Sequence, residues 1–144
     1  MESKTFQRDE KGATTLETAL TIFPAMLLIL GIIQLSVLAL NMNSLQFALN
    51  TAARWGSVGQ KMPGLTREAS IESKIRAVAS SISLDTSDLT ISICPALDPT
   101  CSVNNAGGAN SYFIIRATKA NPLKVIGLGS LGVSAKVIIK NEPF

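Results

Sequence analysis

The sequence predicts an α+β protein. One long N-terminal helix crosses a membrane and continues into a small exported domain with a second helix and a roughly three-stranded antiparallel sheet. Three observations predict this. Thr18 to Leu40 is an uncharged apolar run, Ile71 to Ile82 shows an apolar face at helical spacing, and three segments after Leu89 alternate apolar with polar residues. The expected divisions are a polar segment over 1–12, a membrane and stalk helix over 13–60, and an exported α+β domain over 61–144.

The composition sets the outer bounds. Of 144 residues 47% are hydrophobic and 16% are charged, which excludes intrinsic disorder, since disorder needs low hydrophobicity and high charge. The chain has no histidine. Ser-His-Asp and Cys-His catalysis and every histidine-containing metal site are therefore excluded, and no catalytic residue, metal or cofactor is expected. A net charge of +3 from scattered Lys and Arg residues gives no reason to expect nucleic acid as a partner.

The first element is TALTIFPAMLLILGIIQLSVLAL, residues 18–40. As a helix it measures roughly 35 Å, enough for a hydrocarbon core of about 30 Å. It exceeds the 7 to 15 apolar residues of a cleavable secretory signal, and a wholly buried helix of this kind needs a larger core than the rest of the chain builds. Pro24 removes one backbone donor and crowds the preceding turn, so a helix kink is expected near 20–24. Lys4, Arg8 and Lys11 precede the span, and the positive-inside rule then keeps the N-terminus cytoplasmic and exports the C-terminal part.

The boundary of that run carries the most specific pattern. Lys11-Gly12-Ala13-Thr14-Thr15-Leu16-Glu17-Thr18-Ala19-Leu20 joins a short polar leader ending in glycine to four uncharged residues, a glutamate and a long apolar helix. This resembles the class III signal of type IV pilins and pseudopilins. The stretch from Lys11 to Gln60, with Ala53-Arg54 late in the helix and Lys140-Asn141-Glu142 closing the last strand, is similar to the TadE family, minor pseudopilins of tight-adherence (Flp-type) pilus systems.

The resemblance implies that residues 1–12 are a cytoplasmic leader, cut by a prepilin peptidase between Gly12 and Ala13. It implies a bacterial inner-membrane protein whose domain is periplasmic or extracellular, with the major pilin, other minor pseudopilins and the assembly platform as partners. It also implies that Glu17 pairs with the N-terminal amine of an adjoining subunit. Physically, an acid at the start of a bilayer helix needs a partner; the alternative is that Glu17 marks the water interface and favours the helix N-terminus. Two other functional readings stay open at this point. One is a minor pseudopilin of a type II secretion system, and the other is a signal-anchored envelope binding module.

Beyond Leu40 the spacing of Leu45, Leu49, Ala52, Ala53 and Gly56 continues the helix. Ala48, Ala52 and Gly56 form a small-residue side that packs either a neighbouring helix or the subunit's own sheet. Pro63-Gly64 breaks the chain. Thr66-Arg67-Glu68-Ala69 opens the second helix, with Ile71, Ile75, Val78, Ala79 and Ile82 on its apolar face. Leu89, Ile91 and Ile93, then Tyr112 to Ala117, then Val133 to Ile139 read as strands. Asn104 to Ser111 is expected as a flexible connection.

Cys94 and Cys101 bracket CPALDPTC. In an exported domain this spacing favours a disulfide, whose chain-entropy contribution for about eight residues is roughly 2.5 kcal/mol. Gly127-Leu128-Gly129-Ser130-Leu131-Gly132 matches G-x-G-x-x-G formally, but the following segment alternates as a strand, so it is read as a turn and not as a dinucleotide site.

Overall fold

The computed structural model describes residues 7–98, 100–101, 103–125 and 129–143, with the backbone alone for 7–13, 121–125 and 129–131. Helix α1 runs over Gln7–Ser57. Its interior holds one proline, Pro24, and the helical assignment passes through it without a break. The helix therefore begins before the expected start at residue 13, and it stops short of residue 60. Its end is set by Ser57, whose hydroxyl donates to the Arg54 carbonyl (2.9 Å), and by Gly59, whose φ of 75° turns the chain while its N–H donates to the Gly56 carbonyl (3.1 Å).

The chain divides into two compact units, residues 1–37 and 38–144. The first contains the apolar part of α1, and among the described residues Thr14–Ser57 is long and apolar enough to cross a membrane. Its large side chains, from Leu16 to Val37, stand exposed. In water such a surface is costly, and in hydrocarbon it is not.

The second unit starts inside the same helix. Leu45, Ala48, Leu49, Ala52 and Ala53 are completely or almost completely buried in a core shared with α2 and the sheet. The small-residue side thus meets the domain's own elements. At Gly56 an added Cβ would lie 2.6 Å from the Ile71 Cδ1 and 3.9 Å from the Phe113 Cζ, so glycine here permits the close approach of α1 and α2.

Helix α2 spans Arg67–Ser81. The Thr66 hydroxyl accepts from the Ala69 N–H (3.2 Å), the N-cap expected from the sequence. At the other end the Ser83 N–H donates to the Ser80 carbonyl and the Leu84 N–H to the Ala79 carbonyl. That is a Schellman motif with Ser83, φ 60°, where glycine is usual. Ile71, Ile75 and Ala79 are fully buried, each large side chain contributing about 2 kcal/mol of burial. Arg76 bridges onward: it is held by the Glu72 carboxylate (2.9 Å) and donates to the carbonyls of Thr86 and Leu89 (3.0 Å each).

Three strands follow, β1 (Leu89–Pro95), β2 (Tyr112–Val125) and β3 (Gly129–Lys140), in an antiparallel sheet of order β1-β2-β3. The α+β class, the second helix and the three antiparallel strands are as the sequence predicts. The strands differ in length. β2 and β3 continue past Ala117 and before Val133, through an irregularity in which Ala120, Asn121 and Pro122 stand opposite Gly132. A proline cannot donate to the ladder, so it sits where pairing is interrupted. Gly129 to Gly132 belong to β3, so no helix follows the G-x-G-x-x-G segment, whose Gly127 and Leu128 lie outside the described residues.

Candidate functional site

The N-terminal part of α1 places Thr14, Glu17, Thr18 and Thr21 at i, i+3, i+4 and i+7, which is one face of the helix. Thr18 donates to the Thr14 carbonyl (2.7 Å), and Thr21 to those of Glu17 (3.1 Å) and Thr18 (3.0 Å). Ser36 does the same toward Ile32 (2.8 Å). Hydroxyls turned back on their own helix present little unsatisfied polarity to lipid. The Glu17 carboxylate is different: the residue is exposed on this polar stripe and flanked by apolar surface on either side. Further along α1, one turn after Leu20, Pro24 leaves the Leu20 carbonyl without its usual i+4 donor. Gly12 and Ala13 lie on the helical backbone about one turn before Glu17, and their side chains are outside the described residues.

The second unit carries a buried polar node that sequence reasoning missed. Arg67, the first residue of α2, donates through Nε (3.2 Å) and Nη2 (2.7 Å) to the Gly56 carbonyl at the end of α1, and through Nη1 to the Gly107 carbonyl (2.9 Å). Its Nη2 also donates to Oδ1 of Asn141, and the guanidinium lies over the Phe113 ring, 5.4 Å from its centroid. Asn141 is 1% exposed. Its amide donates to the carbonyls of Ala106 (2.9 Å) and Gly108 (2.8 Å) and to the Ser111 hydroxyl (3.1 Å). The residues after it finish the closure, since the Glu142 N–H donates to the Ser57 carbonyl (2.9 Å).

Helix end, second helix, 106–108 loop and chain end meet at this node. The segment 104–111, expected as a flexible connection, is in fact anchored: Ala106 is fully buried, and its N–H donates to the Glu68 carboxylate (3.0 Å). Burial disfavours the ionised form of Glu68, but the Ala106 amide, its own backbone N–H, Arg67 and the Thr66 hydroxyl outweigh this and hold its pKa below the ordinary value. Burial also lowers Arg67, with Glu68 opposing the shift.

Cys94 and Cys101 form a disulfide with Cα atoms 5.2 Å apart. It closes a loop whose Leu97 is 96% exposed. Among the described residues no group of three His, Cys, Asp or Glu side chains could hold a metal ion.

Of the residues singled out from sequence, Cys94 and Cys101 are brought together, whereas Glu17 and Pro24 lie in the other unit with Gly12 and Ala13. The signal for the node was present but ambiguous. Arg67 and Glu68 read as the start of a helix, and Asn141 as a polar residue after a strand.

No curated protein and no solved structure gives a significant match to the chain. Residues 12–54 match the family described as TadE-like protein. By that segment, a helix of membrane-spanning length with Glu17 near its start, the chain is similar to TadE-like proteins.

Proposed function

We propose that the chain is a minor pseudopilin acting in the biogenesis of a tight-adherence pilus, a structural component and not an enzyme. The family match over the apolar helix supports this reading more than any other observation, because that helix carries both the glycine-to-glutamate spacing and the membrane-length run. Prepilin peptidase cuts between Gly12 and Ala13 on the cytoplasmic side. The helix then holds the subunit in the bacterial inner membrane with its domain exported. Cleavage creates an ammonium at Ala13, and the Glu17 carboxylate of one subunit pairs with that of a neighbour. A buried ion pair costs less than two isolated charges in hydrocarbon, which fixes the axial register between subunits. The major pilin, other minor pseudopilins and the assembly platform are the partners, and the exported domain supplies initiating, lateral or tip contacts.

The intact mass of the protein from membranes, with and without active prepilin peptidase, tests the reading. A mass corresponding to a chain beginning at Ala13 is expected when the peptidase is active. A chain still beginning at Met1 in those cells would overturn the proposal.

A further inference from the structure

The two edges of the sheet differ in cover. Facing residues in an antiparallel ladder alternate between exchanging two backbone bonds and exchanging none. The Ala96 N–H donates to the Tyr112 carbonyl and the Asn141 N–H to the Ser111 carbonyl. Strands β1 and β2 therefore bond through their even-numbered residues, and β2 and β3 through their odd-numbered ones. On β1 the odd-numbered groups point outward, and the domain covers them: the Leu89 carbonyl accepts from Arg76, and the Ile93 carbonyl from the Asn105 N–H. On β3 the outward groups are those of Ser134, Lys136, Ile138 and Lys140. Among the described residues no hydrogen bond reaches them from outside the sheet, and no strand lies beyond β3.

The side chains along this edge carry a pattern. Lys136 and Lys140 are exposed, and Ile138 between them is 57% exposed at the rim of an apolar hollow that Tyr112 and Leu97 also border. Lys136 stands opposite Arg116 on β2, a like-charge pairing that is destabilising by itself. Among the described residues neither has a carboxylate partner. On the core side Val137 and Ile139 are only partly buried, whereas their β2 partners Ile115 and Phe113 are fully buried. The edge thus lacks cover on both faces as well as along its backbone.

We propose that β3 is a docking edge for an extended acidic segment of a partner protein, which adds as a fourth strand. Carboxylates then stand opposite Lys136 and Lys140, an apolar side chain opposite Ile138, and apolar side chains beside Val137 and Ile139. The free edge alternates donors and acceptors, and another peptide backbone supplies both, whereas lipid or nucleic-acid phosphates only accept. A second copy of this chain fits poorly. Its β1 edge is covered, and pairing β3 with β3 brings the cations of one copy against those of the other. Lysines on an edge strand guard against such self-pairing, and the same lysines select an acidic strand. The inference does not depend on the pilus reading.

The isotope-labelled full-length chain in neutral maltoside micelles tests it, with the synthetic peptide Thr-Glu-Val-Leu-Val-Glu-Thr capped at both ends. Saturable binding should slow amide exchange at Lys136, Ile138 and Lys140, while Val137 and Ile139, already bonded to β2, change little. Replacing both peptide glutamates by lysine should weaken binding by about tenfold, as should Lys136→Glu/Lys140→Glu in the chain, and combining the two changes should restore it. The peptide variants test the charge pairing without altering the protein. Methylating the peptide nitrogens of one alternate set should abolish binding and methylating the other set should spare it, because one set faces β3. Absence of saturation at about 1 mM peptide overturns the proposal, as does equal tolerance of both methylated sets. So does the same slowing of exchange without peptide, whether it follows added phosphatidylglycerol, which would make the edge a lipid contact, or rising protein concentration, which would make it a seam between copies.

Discussion

Asn141 uses its side-chain amide in full, accepting from Arg67 and donating to Ala106, Gly108 and Ser111 in a site 1% open to solvent. Truncation removes these bonds and leaves the carbonyls dry. Asn141→Ala should therefore destabilise the domain by about 2 to 4 kcal/mol, read as a lower urea midpoint of Trp55 fluorescence for the full chain in micelles. A loss under about 1 kcal/mol would mean that water replaces the side chain. Glu68 and Asp85 give a pH dependence. Ser87 N–H and hydroxyl donation lowers the Asp85 pKa, with Lys119 adding to it, and the Ala106 contact does so for Glu68 against the cost of burial. A carboxyl with a folded pKa below its unfolded value binds fewer protons when folded, so its stabilisation is present above the unfolded value and lost as pH falls through the folded one. Stability should be flat from pH 7 to about 5 and decline below the ordinary carboxylate range. Glu68→Gln should flatten part of that decline in urea midpoints measured across pH.

At the scale of elements, each boundary has a local chemical cause that differs in kind. α2 starts on a threonine cap, which the sequence displays, and ends on Ser83 in the left-handed region, which it does not. Ser83→Gly removes the Cβ penalty there and should raise stability by roughly 0.5 to 1 kcal/mol, seen as a higher urea midpoint with an unchanged slope. A lower midpoint would show that the Ser83 side chain contributes more than its backbone costs. The strands of the sheet were legible at their cores because period-two alternation reports one-sided burial. Their extension was not. Residues 123–125 and 129–131 pair with each other without β1 beside them, and the irregularity opposite Gly132 shifts the alternation that would have marked them. The same limit applied at the helix ends: nothing in the composition of 7–12 or 58–60 distinguishes a helical backbone from a turn.

For the whole molecule, the two units divide the chemistry. The first carries the polar stripe with Glu17, and the second a packed domain whose core includes the C-terminal part of the same helix. A substitution at Glu17 should then affect assembly without unfolding the domain. Glu17→Ala should keep membrane insertion and the domain's urea midpoint, while incorporation into pili, assayed by shearing and immunoblot, falls severalfold. Unchanged piliation would defeat the pairing role on which the proposed register depends.

The apolar run, the cap at Thr66, the alternation at 89–93 and the spacing of Cys94 and Cys101 are all short-range, and they fixed the membrane-length helix, the α+β class and the disulfide loop. Such features follow from periodicity and local geometry, which a sequence states directly. The tertiary structure alone decided that Ala48, Ala52 and Gly56 pack within the domain, and that Arg67 meets Gly107 and Asn141, 40 and 74 residues away. It also decided that Arg116 and Lys136 share an open face. Contacts across such separations depend on the register of strands and the approach of helices, for which no single segment carries a signal. The polar node was hidden for that reason, and residues that read as a helix start and a strand end became one buried site only when the chain closed on itself.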